Sequence, residues 1–153
     1  MMLVFIPLTQ AQLSSWVEGG SFAPKQAFGV TNSLRQAFGF TPADDEEAEH
    51  TAMHIAGLSG LLSSGRRLVA VAEASARAVA GSEFGEVEAG AVPWSAVNAL
   101  FADDASGAAT AAALDRPHAS LSDAWDDPAI ADLLASHELL WHGPSEWAGL
   151  VAG

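Results

Sequence analysis

Residues 2–6 of the chain, Met-Leu-Val-Phe-Ile, form an unbroken apolar run. A strand with one wet face alternates polar and apolar residues, so a run that does not alternate suits a strand covered on both faces. Pro7 closes the run, and Thr9 then stands three residues before Gln12, the spacing of a capping box. Leu8 and Leu13 flank that box at the two positions of a hydrophobic staple. A core strand therefore feeds directly into a capped helix. This opening constrains the fold and carries no chemistry.

Similar signals recur along the chain. Residues 27–31, Ala-Phe-Gly-Val-Thr, read as a second short strand, after which Asn32 or Ser33 caps a helical turn through Leu34, Ala37 and Phe38. Thr41-Pro42 opens the longest helix. Thr41 caps it, Pro42 takes its first position, and Asp44, Asp45, Glu46 and Glu47 complement the positive end of its dipole. Ala48, Thr51, Ala52, Ile55, Leu58 and Leu62 share one face of this helix, and Gly65 suits its stop near Ser63. Leu68 to Ala72 reads as a central strand, residues 84–89 as a half-exposed one, and Val97 to Ala102 as another. Asp103-Asp104 ends that strand and caps a helix through Ala113 and Leu114. Residues 115–126 read as a surface loop, and Asp127-Pro128 starts a further helix. Residues 138–142 fit either an extension of that helix or a short strand before the Gly143-Pro144 turn. Strands follow one another through 67–102 with no helix between them, which argues against a doubly wound fold. The expected architecture is α+β: one domain over residues 1–153, with a mixed β-sheet of five to six strands and helices packed on it. Strands 2–7 and 67–72 lie at its centre, and the 42–63 helix crosses one face.

A chain of 153 residues buries enough surface to hold a core without disulfides or metals. It has no cysteine, which removes thiolate chemistry and Cys-based zinc or iron–sulfur sites. Its net charge is −13, from 19 acidic and 6 basic residues. Six scattered cations make no basic face, so nucleic acid and anionic membranes are not expected partners. An acidic surface favours solubility, and it also complements a protein partner with a basic surface. The apolar run at the start lacks a basic flank, and no segment approaches the roughly 20 apolar residues of a membrane span. A cytoplasmic location is the expectation.

Val4-Phe5-Ile6-Pro7 with Leu13 and Trp16, Ala27-Phe28-Gly29-Val30-Thr31 with Leu34-Arg35, and the acidic opening of the long helix occur here in a fixed order. Val92-Pro93, Asp103-Asp104 and His137-Glu138-Leu139-Leu140-Trp141 continue it. The order resembles a family of small, acidic, uncharacterised proteins of high-GC Gram-positive bacteria (actinobacteria), known as a domain of unknown function. The likeness spans most of the chain. Members of that family usually place an aromatic residue after the tryptophan, where this chain has His142. The resemblance implies a strand at 138–142 and a bacterial cytoplasmic protein, and it implies no activity.

Five groups of side chains bear on function. Glu47, His50 and His54 lie on one flank of the long helix, where neutral imidazoles and a carboxylate can ligate zinc or iron. His118, His137 or His142 would have to complete such a site. The plainer reading is a solvated flank. His137 suits either a buried, hydrogen-bonded imidazole or a general base oriented by Glu138. Asp103-Asp104 suits magnesium or, more simply, helix capping. Gly57-Leu58-Ser59-Gly60 fails as a nucleophile elbow because position 61 is Leu. Of five tryptophans, Trp125 stands among Ser122, Asp123, Asp126 and Asp127, so Trp125, Asp126 and Asp127 are the candidate interface. The leading expectation is a non-enzymatic binding or regulatory module with no cofactor. The alternative is a metal-dependent hydrolytic enzyme built on Glu47, His50, His54, His137 and His142.

Overall fold

A computed structural model describes residues 1–114 and 120–152. Strand β1 (Met2–Pro7) leads into helix α1 (Gln10–Gly19). The capping box at that junction is complete: Thr9 Oγ1 accepts from the Gln12 N–H at 3.0 Å, and Gln12 Oε1 accepts from the Thr9 N–H at 2.9 Å. Strands β2 (Ser21–Phe22) and β3 (Ala27–Phe28) precede α2 (Asn32–Phe38). Thr31, rather than Asn32 or Ser33, caps α2 by accepting from the Leu34 N–H. Helix α3 (Asp45–Ser64) begins three residues later than the Thr41-Pro42 signal suggests. Asp44 turns back to accept from the Thr41 N–H at 2.8 Å, which tightens Pro42–Asp44 into a 3₁₀ turn ahead of the α-helix.

Strands β4 (Leu68–Ala74), β5 (Ala76–Ala78), β6 (Glu86–Ala89), β7 (Val92–Pro93) and β8 (Val97–Ala102) then follow. Helices α4 (Ala105–Ala113), α5 (Leu121–Trp125) and α6 (Pro128–Ser136), strand β9 (Leu140–His142) and helix α7 (Trp147–Val151) complete the chain.

The main sheet has seven strands in the order β5-β6-β3-β1-β4-β8-β9, and β2 pairs with β7 in a small second sheet. The fold is α+β with β1 and β4 central, as the two apolar runs require. Two details differ from expectation. The sheet has seven strands instead of five or six, because a piece as short as β5 leaves no periodic trace in a sequence. Every strand pairing among the described residues is antiparallel, so the sheet is not mixed. Apolar patterning reports which faces are covered, not which way a strand runs.

Both faces of the sheet are covered. Val4, Ile6, Ala70, Ala72 and Leu100 pack with Leu13 and Trp16 of α1, and Trp147 and Leu150 of α7 close over them. On the opposite face Phe5, Val69, Val71 and Ala99 pack with Ala52, Ile55 and Ala56 of α3. A third cluster joins Leu58 and Leu61 of α3 to Ala111, Ala124, Ile130 and Leu133 of α4, α5 and α6. The fully buried Trp16 donates its indole N–H to the Val92 carbonyl at 2.9 Å and meets Trp94 edge-on at 5.4 Å, which ties the second sheet to the first.

The alternatives at 138–142 resolve to a strand. Helix α6 stops at Ser136, and His137 leaves the helix with φ −133° while its N–H still donates to the Leu133 carbonyl. The chain then pairs with β8 in the register Phe101↔Trp141.

Gly85 is a tight backbone position with a left-handed conformation. Its φ is +75°, and a Cβ there would overlap the Gly29 carbonyl oxygen and the Leu34 side chain. The Gly29 N–H donates to the Gly85 carbonyl at 2.8 Å, so the two loops cannot separate without losing that bond. Gly85→Ala is expected to cost at least about 2 kcal/mol, combining left-handed backbone strain with overpacking. Urea denaturation of the two proteins measures it.

Candidate functional site

Arg67 stands one residue before β4 and Asp103 one residue after β8. Leu68 pairs with Ala102 in the antiparallel ladder, so the two side chains leave the end of the sheet side by side. Arg67 Nε donates to Asp103 Oδ2 at 2.9 Å, and Nη2 donates to Oδ1 to complete a two-point pair. Nη2 also donates to the His137 carbonyl at 2.7 Å. The two side chains are 1% and 4% exposed. A guanidinium is stable at such depth only when its charge is matched and its fork is filled. The pair therefore pins three chain segments together: the α3–β4 turn, the end of β8, and the 137–139 connector between α6 and β9. Of the guanidinium nitrogens, Nη1 is buried without a hydrogen-bond partner.

The connector carries Glu138 to the flank of α3. There His50 and His54 sit one turn apart, their rings edge-to-face with centroids 4.4 Å apart. His50 Nε2 lies 3.7 Å from Glu138 Oε1. One ligand atom from each of His50, His54 and Glu138 lies within 4.8 Å of the others. Leu139 fixes the connector's height above the helix, because a Cβ on Gly57 would come within 3.3 Å of its Cδ1. Burial pushes the His54 imidazole down to about 4, with the positive charges of His50 and Arg67 adding to the effect and Glu138 opposing it. His54 is thus neutral near pH 7, and its Nδ1 is buried with no hydrogen-bond partner. The arrangement sets two imidazoles and a carboxylate within 4.8 Å of one another.

The structure brings together only part of the expected donor set. His50 and His54 meet, and Glu138 is their third neighbour. Glu47 is exposed and lines a shallow groove with Phe40, Glu46 and His50. His137 is held by its backbone carbonyl, and its ring Nε2 lies 3.3 Å from Thr110 Oγ1. His142 Nδ1 faces Glu146 at 3.7 Å. His118 lies outside the described residues. No local pattern links residues 54 and 138, so Glu138 is visible in the sequence only as a neighbour of His137. Asp103 and Asp104 divide their roles: Asp103 holds Arg67, and Asp104 caps α4 by accepting from the Gly107 N–H at 2.7 Å. Ser59 is buried inside α3 and donates to Gln26 Oε1 at 2.7 Å.

The expected loop around Trp125 contains helix α5 instead. Trp125 is half-buried at its end and meets Phe38 edge-on at 5.5 Å and Phe84 at 6.0 Å. Asp127 caps α6 by accepting from the Ala129 N–H, and Asp126 is exposed. The exposed tryptophan is Trp141, 62% accessible on β9 at the edge of the sheet, beside Leu140 at 47%.

A family model described as a family of unknown function, DUF6912, matches residues 2–151. No curated protein and no solved structure matches the chain. Among the described residues, no helix is long and apolar enough to cross a membrane.

The buried pair gives the site a stability signature. Asp103→Ala leaves Arg67 charged and unmatched in the core and is expected to cost about 3–5 kcal/mol. The apolar double variant Arg67→Met/Asp103→Leu is expected to be clearly more stable than that single variant. Chemical denaturation of the three proteins measures both effects.

Proposed function

We propose that this chain, which belongs to the DUF6912 family of unknown function, is a binding module of the bacterial cytoplasm that captures an extended, positively charged protein segment. The observation that carries this reading is the pair of exposed apolar side chains, Leu140 and Trp141, on the edge strand β9. An edge strand presents unpaired N–H and C=O groups, and such edges are usually blunted with charge or proline. Here the edge carries a leucine and a tryptophan on opposite faces. Backbone pairing to an edge supplies affinity, and side chains that alternate across it supply selection. Tryptophan is also the residue type most enriched at interface hot spots.

Charge selects the partner. Glu146 folds back beside Trp141: its Oε2 accepts from the Gly143 N–H at 2.6 Å, and both side chains approach the face of Gly143 where a Cβ would project. A lysine or arginine placed there meets a carboxylate and an indole face together. The net charge of −13 steers cationic segments toward the protein and repels acidic ones.

Purified protein screened against an array of extended heptapeptides tests the proposal. Bound peptides are expected to alternate Lys or Arg with apolar residues and to weaken with added salt. Trp141→Ala should weaken them at least about 30-fold, equivalent to about 2 kcal/mol, and Trp125→Phe should leave them unchanged. Acidic hits, or binding that survives Trp141→Ala, would sink the reading.

A further inference from the structure

We infer that His50, His54 and Glu138 form a binding site for one divalent transition-metal ion of the zinc class, which clips helix α3 to the α6–β9 connector. The inference is independent of the docking edge. Its first support is convergence. The three donor atoms lie within 4.8 Å of one another although they come from two separate elements. A tetrahedral zinc ion with bonds of about 2.1 Å sets its ligands about 3.4 Å apart. His50 and Glu138 already stand 3.7 Å apart, and both side chains are more than half exposed, so they are free to close on an ion. Little backbone movement is needed, because Leu139 and the Arg67–His137 bond already hold the connector against α3.

The second support is the unsatisfied imidazole. His54 Nδ1 is buried with no partner, an arrangement that costs stability unless something satisfies the nitrogen. A cation bound through that nitrogen would satisfy it. The nearby Arg67 would repel a cation, but Asp103 matches its charge at two points.

The donor chemistry selects the class of ion. Two imidazoles and one carboxylate suit zinc and its neighbours, whereas magnesium and calcium take oxygen ligands. Three protein ligands leave a fourth position for water or for a side chain of another molecule.

The test uses the full chain without a histidine tag, stripped with chelator and titrated with zinc chloride by calorimetry and with cobalt chloride by visible absorption. One equivalent of zinc is expected, and cobalt should give the intense bands of a four-coordinate site. His50→Ala, His54→Ala and Glu138→Gln should each weaken zinc binding at least about tenfold, the lower end of what even an outer-shell partner costs. His142→Ala should leave it unchanged. Circular dichroism checks that each variant is folded. If His54→Ala does not fold, the exposed His50 and Glu138 variants decide the question. The absence of saturable zinc binding in the parent protein overturns the inference. So does zinc binding that survives both His50→Ala and Glu138→Gln, or that is lost in His142→Ala.

Discussion

The two-point pair between Arg67 and Asp103 is the contact on which the half of the molecule that holds the candidate site depends. It closes the end of the β4–β8 ladder and, through the His137 carbonyl, sets where α6 must end and where the chain must turn toward β9. A buried guanidinium tolerates few alternatives: its carboxylate must arrive in plane and in register. Gly107 makes room for that carboxylate, since a Cβ there would overlap Asp103 Oδ1. One ion pair thus fixes the height of the connector, and with it the positions of Glu138 below and Trp141 beyond.

Helix α3 answers the same constraint from the other side. Gly57 and Gly60 face the places where other chain segments pass closest: Leu139 and Arg67 at the first, the Arg66 carbonyl and Pro7 at the second. The Gly-Leu-Ser-Gly segment that faintly resembles a nucleophile elbow is instead a close-packing surface. Its serine bonds Gln26, and its glycines let the helix lie low over the sheet. That approach brings His50 and His54 level with the connector.

The fold was largely legible in the sequence because its signals are local. The Thr9–Gln12 box, the Asp127-Pro128 start and the Val97–Ala102 strand depend on neighbours within a few residues, and each stands where the sequence places it. The site was legible only in halves. His50 and His54 share a helix flank by spacing alone, so their pairing follows from the helical period. Glu138 reaches them only through tertiary packing. Trp125 illustrates the converse. Its acidic surroundings suggest an exposed residue, but Phe38 and Phe84 come from distant segments to cover it. Trp141 follows Leu139 and Leu140 in the chain, yet its strand falls at the sheet edge, where among the described residues nothing pairs beyond it.

The sequence by itself determined the α+β class, the two central strands, the long acidic-ended helix and most caps, because hydrophobic period and capping chemistry act over short stretches of chain. It also determined the acidic charge and the absence of cysteine chemistry. Tertiary structure alone decided strand direction, the seven-strand order, which tryptophan meets solvent and which carboxylate joins the two histidines. Those features depend on contacts between residues far apart in the chain. No periodicity encodes them, and here a single buried ion pair at the end of two strands sets the geometry of the connector that carries them.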